Sequence, residues 1–117
     1  MNLGARQLLQ QAYAAFNARN IDAALAVMCS DVVWPNGMEG GVVHGHLGVR
    51  EYWTRQWSVI DPTVEPLSIR EGEGCFDVEV RQRVRDLEGK VLIDRIVHHV
   101  YRLRGGRIAS MEIVEPD

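Results

Sequence analysis

From Phe76 to Arg85 the chain follows a period of two. Phe76, Val78, Val80 and Val84 take one parity, and Asp77, Glu79, Arg81, Arg83 and Arg85 take the other. Successive side chains on a strand point to opposite faces, so this stretch predicts a strand with one buried face and one strongly charged face. Such a strand needs neighbours for its backbone groups and a cover for its apolar side. The neighbours are legible. Val64 to Arg70 reads as a strand before it, ended by the turn Glu71 to Gly74. Val91 to Leu103 and Ile108 to Val114 read as strands after it, entered through the turns Asp86 to Lys90 and Arg104 to Arg107.

The cover comes from upstream. Leu8, Leu9, Ala12, Tyr13, Ala15 and Phe16 recur at helical spacing, with Gln7, Gln10, Gln11, Asn17 and Arg19 on the other side. Asn17 to Asn20 ends this helix. Asn20 is placed to cap a second one, Ile21 to Met28, with Asp22 in its first turn where the macrodipole favours an anion. Ser30-Asp31 reads as a turn, Val32 to Trp34 as a short strand stopped by Pro35, and Asn36 to Gly41 as glycine-rich irregular chain. A third helix is predicted after Gly45, with Leu47, Val49, Tyr52, Trp53, Gln56 and Trp57 on its buried side, ending at Asp61-Pro62. Helices first and a meander of strands after them indicate an α+β fold with the helices on one face of the sheet.

The 117 residues suffice for one domain with its own core, expected to be 1–117. A net charge of −3 offers no basic surface, so neither nucleic acid nor a membrane is expected as a partner. No run approaches the ~20 apolar residues that span a bilayer, and residues 1–16 lack the apolar centre of a secretory leader; the reading is a cytoplasmic protein. Cys29 and Cys75 form no CxxC pair and read as reduced core thiols; a disulfide between them is allowed but not implied. His44 and His46 flank Gly45, and His98 and His99 are adjacent. Adjacent strand residues face opposite ways, so the latter two cannot join one site, and no metal is expected. Phosphate loops, nucleophile elbows and dinucleotide fingerprints are absent from the sequence, and no cofactor is expected.

Three segments add a family resemblance. Ala14 to Leu25 followed by Ser30 to Trp34 gives a helix, an asparagine-to-aspartate break, a second helix and a strand. Gly45-His46-Leu47-Gly48-Val49-Arg50-Glu51-Tyr52 gives a glycine-led helix start with an Arg-Glu-Tyr step. Tyr101 to Ile108 gives an aromatic-led final hairpin through Gly105-Gly106. In this order they resemble the nuclear transport factor 2-like superfamily, which includes the ketosteroid isomerases and the SnoaL-like polyketide cyclases. The resemblance implies one SnoaL-like domain. Its fold would be a cone, a curved antiparallel or mixed sheet wrapped around N-terminal helices (a cystatin-like α+β barrel), with an apolar cavity inside. It also implies a homodimer paired through the outer sheet face. The strand from Val91 is apolar on both faces, with Val91, Ile93, Val97, Tyr101 and Leu103 on one and Leu92, Ile96 and Val100 on the other. A sheet covered on both sides has this pattern.

The resemblance further implies a pocket for a small apolar molecule. Its chemistry would be cofactor-independent acid/base work on a carbonyl-type compound: isomerisation, cyclisation, dehydration or hydrolysis. A non-catalytic binding or dimerisation module of the same fold is the alternative. In the isomerases a carboxylate just after the first strand moves the proton, while a helix-borne tyrosine and a protonated acid on a central strand hold the oxyanion. Here the first position falls at Asn36, which can orient a ligand but cannot accept a proton at neutral pH. The second falls at Ala12, with Tyr13 one residue and ~100° away. The third falls at His98 or His99, and alternation with Tyr101 and Leu103 favours His99. Steroid isomerase activity is therefore not expected. His99 is the candidate acid or base, or else a structural histidine satisfied by a neighbour. Arg95 shares its face and meets either an acidic ligand or a carboxylate of the chain, whereas Asp94 and His98 face the other way. Tyr13, Trp34, Met38, Trp53, Tyr101 and Met111 complete the ligand-binding candidates. Trp57 reads as core, and Met38 and His44 as parts of a lid.

Overall fold

The computed structural model describes residues 3–115. Three helices, α1 (Leu3–Asn17), α2 (Ile21–Ala26) and α3 (Gly45–Val59), combine with six strands. These are β1 (Met28–Pro35), β2 (Val42–His44), β3 (Asp61–Gly72), β4 (Cys75–Arg85), β5 (Val91–Arg104) and β6 (Arg107–Val114). The strands make one curved sheet in the order β2-β1-β6-β5-β4-β3. β1 and β6 run parallel, and the other neighbours run antiparallel. The expected α+β class is observed, with the sheet open rather than closed into a barrel: β2 and β3 are its two ends.

The alternation in β4 is realised as predicted. Phe76, Val78, Val80 and Val84 are buried on the helix side. On the outer side Arg81 grips Asp94 of β5 with two hydrogen bonds of 3.0 and 2.9 Å, and His98 Nδ1 meets Asp77 at 2.7 Å. Leu9, Ala12, Tyr13 and Ala15 of α1 are buried with Val49, Tyr52 and Trp53 of α3 in the core that covers the sheet. The last residue of α1 fixes it to the sheet edge. Asn17 Nδ2 donates to the Val64 carbonyl at 2.7 Å, and Val64 N donates back to Asn17 Oδ1 at 3.0 Å. This amide pairs with the backbone of edge strand β3 as a further strand would, and so blunts an exposed edge.

Several boundaries differ from the sequence expectation for physical reasons. Asn20 caps α2 through Oδ1 and the Ala23 N–H, but α2 stops at Ala26. Met28 is instead drawn into β1 by parallel pairing with Ile108. Ser30-Asp31 does not end the strand. The register slips between Met28 and Val33, so the turn propensity is spent on an irregularity inside β1. Asp61 and Pro62 open β3 instead of only ending α3, because proline is tolerated on an edge strand. Val42 to His44 pair with β1, which makes His44 a strand residue and not part of a lid. Cys29 and Cys75 are free thiols. No helix among the described residues is long and apolar enough to cross a membrane.

Candidate functional site

A cavity of about 390 Å³ lies between the helices and the concave face of the sheet. α1 supplies Tyr13, β1 supplies Trp34 and α3 supplies Trp53. β5 contributes Arg95, His99 and Tyr101, β6 contributes Met111, and Met38 comes from the loop after β1. Met38, Leu92 and Ile93 line the cavity yet remain exposed, which places its mouth beside them.

Its floor is an aromatic and polar cluster. The Tyr13 hydroxyl lies 2.8 Å from His99 Nδ1, and the two rings stack at 5.8 Å. Tyr13 meets Tyr101 edge-on at 6.1 Å, and Trp34 stands between Tyr101 and Trp53 at 6.3 and 5.7 Å. Parity on β5 explains the selection. Val97, His99 and Tyr101 are buried inward, whereas His98 points out to Asp77.

Burial, with the neighbouring His98 second, pushes the His99 pKa down to about 4. Burial, then the Tyr101 phenol, pushes that of Tyr13 up, and burial does the same for Tyr101. The imidazole is therefore neutral at pH 7 and both phenols keep their protons. With one ring nitrogen tied to Tyr13, the other has no hydrogen-bond partner among the described residues and is a donor or an acceptor according to the tautomer that Tyr13 selects. No Asp or Glu lines the cavity among the described residues, so the neutral His99 imidazole is the one lining side chain suited to accept a proton.

Asn36 stands apart from this cluster and does not line the cavity. Its Oδ1 accepts the N–H groups of Met38 and Glu39 at 3.1 and 2.8 Å, and its Nδ2 donates to Glu39 at 3.1 Å. The side chain is consumed by its own turn, so the expected ligand-orienting role has no geometry to support it. Other lining residues escaped the sequence reading. Tyr52 and Gln56 read only as the buried side of α3; in the structure the Tyr52 hydroxyl accepts the Gly37 N–H at 3.0 Å and a bond from Gln56 at 3.3 Å. Gln82 also lines the cavity, and a signal for it existed: it is the one polar residue at an inward position of β4. Among the described residues no three His, Cys, Asp or Glu side chains converge as metal ligands would.

TerC, crystallised with polyporic acid, superposes with a TM-score of 0.85 at 26% identity, covering 97% of this chain and 92% of TerC. A nuclear transport factor 2-like protein of unknown function from Burkholderia pseudomallei gives 0.84 at 27% identity, covering 97% and 91%. A protein described as a polyketide cyclase from Sinorhizobium meliloti gives 0.79 at 19% identity, covering 92% and 93%, a likeness of fold alone. No curated protein matches the chain in sequence. The SnoaL-like domain profile matches residues 9–111, nearly the whole chain and every lining residue of the floor. The chain belongs to the SnoaL-like domain family.

Proposed function

We propose that the cavity binds a small apolar carbonyl compound and that His99 moves a proton on it while Tyr13, backed by Tyr101, holds the carbonyl oxygen. The observation that carries this reading is the 2.8 Å Tyr13–His99 contact at the floor of a largely apolar cavity. A neutral imidazole can take a proton from carbon next to a polarised carbonyl, and a phenol donor stabilises the enolate oxygen that forms. The developing oxyanion raises the proton affinity of the neighbouring imidazole, which offsets the weakening by burial. Isomerisation, aldol-type cyclisation and dehydration of a β-hydroxy carbonyl compound all begin with such a step, and the neighbour TerC was crystallised with polyporic acid.

The test is hydrogen–deuterium exchange. Acetylbiphenyl in heavy water should bind, quenching tryptophan fluorescence, and lose its methyl protons faster with the protein than in buffer. General acid–base catalysis contributes about 10²–10⁴-fold, so His99→Ala should lower the exchange rate by at least ~100-fold, and Tyr13→Phe by less. Binding with exchange no faster than buffer would establish the non-catalytic alternative, which a lining without Asp or Glu among the described residues supports.

The partner side of the proposal is a homodimer through the outer sheet face. Ile96 and Val114 are exposed there, beside the charged pairs of β4 and β5.

A further inference from the structure

The sheet wall of the cavity is apolar at Val64, Val84, Met111 and Ile113 and turns polar at Gln82 and Arg95 near the mouth. There Arg95 of β5 sits opposite Gln82 of β4. Arg95 Nε donates to Gln82 Oε1 at 3.0 Å, and Nη1 donates to Glu115 Oε1 at 2.6 Å. Glu115 follows the end of β6, and its carboxylate has no other hydrogen-bond or ion-pair partner among the described residues. Both side chains are about half open to solvent. An ion pair so exposed moves an equilibrium by no more than about fivefold.

We propose that Arg95 recognises an anion and that Glu115 fills its place as an exchangeable internal carboxylate, displaced when an elongated apolar acid enters the cavity. The inference rests on the reading of the cavity as a ligand site and names the ligand class. The planar guanidinium fork suits a carboxylate. No lining carboxylate repels the incoming anion among the described residues. The apolar walls add burial that Glu115 itself cannot draw on. Arg95 and His99 are four residues apart on one face of β5, roughly 13 Å along the strand. The ligand therefore carries its anionic group about that far from the oxygen held at Tyr13 and His99.

A biphenyl with an acetyl group at one end and a carboxylate at the other, and its carboxamide, separate charge from shape. Titrated by tryptophan fluorescence at neutral pH, the acid should bind about tenfold more tightly than the amide, and added salt should erode only that advantage. The ratio should fall to about one in Arg95→Gln, lie between in Arg95→Lys, and rise about threefold in Glu115→Gln. A ratio near one in the unaltered protein, or one unchanged by Arg95→Gln, overturns the inference while leaving the cavity reading intact if plain acetylbiphenyl binds. If none of the three compounds binds, the cavity reading falls and this inference falls with it.

Discussion

Lowering the pH should destabilise the fold through His99 before any carboxylate matters. The folded protein holds this imidazole neutral, with its pKa pushed by burial from 6.5 down to about 4. The unfolded chain takes up the proton near 6.5, so between these values the unfolded state binds more protons, and stability falls as pH falls. At 1.36 kcal/mol per pKa unit the whole effect is about 3 kcal/mol. Roughly 2 kcal/mol of it is lost between pH 7 and pH 4.5. Below about 4 the native state also takes the proton and the loss levels off. Asp31, Glu39 and Asp94 contribute in the same direction but lower down. Their pKa values are held below the ordinary carboxylate range by hydrogen bonds from Arg104, Asn36 and Arg81 respectively, so their stabilisation disappears only below about pH 4.5. Urea denaturation of the unaltered protein and of His99→Gln, repeated from pH 7 to pH 4.5, isolates the histidine. The difference in stability should shrink or reverse by roughly 2 kcal/mol toward acid. Parallel pH profiles would refute the claim that His99 is buried and neutral, and with it the floor described above.

Three further outcomes are expected. Asn17→Ala should cost about 1–3 kcal/mol in thermal or urea denaturation, because it leaves the Val64 N–H and carbonyl at the sheet edge without partners. Asn36→Asp should leave the exchange rate of acetylbiphenyl within about twofold, since the general-base gain of 10²–10⁴ requires a carboxylate at the ligand and this side chain stays in its turn. Ile96→Asp should convert a dimer to a monomer in sedimentation velocity if the outer face is the pairing surface; a dimer that persists would place the contact elsewhere.

What the sequence disclosed tracks the range of the interaction. The β4 alternation and the Asn20 cap are local, and both could be read directly. Inward placement of His99 followed from parity alone, since Tyr101 two residues on is also buried. The length of β3 was hidden because Pro62 and Pro66 normally break strands, and only its position at the sheet edge makes them harmless. β2 was hidden because three residues after a glycine run carry no period. Asn36 went the other way: its readiness to close its own turn was visible in the Asn-Gly step, but the family position outweighed it. The Arg95–Glu115 contact depends on where the end of β6 lies beside β5, which no local pattern encodes.

The parallel partnership of β1 with β6 bears on how the chain finds this fold. β1 reaches its one parallel neighbour across a loop of eighty residues, from Met28 to Ile108. Every other sheet contact along β3, β4, β5 and β6 joins consecutive strands through short hairpins. Closure entropy grows with loop length, and folding slows as contacts become less local. The β3–β6 meander can therefore zip early, while β1 adds late to the free edge of β6 and α1 closes over the sheet against β3. Until that step is complete, the buried side chains of Met28 and Val32 and the β6 edge are open to other chains, and the same late docking closes the cavity floor by bringing Tyr13 to His99.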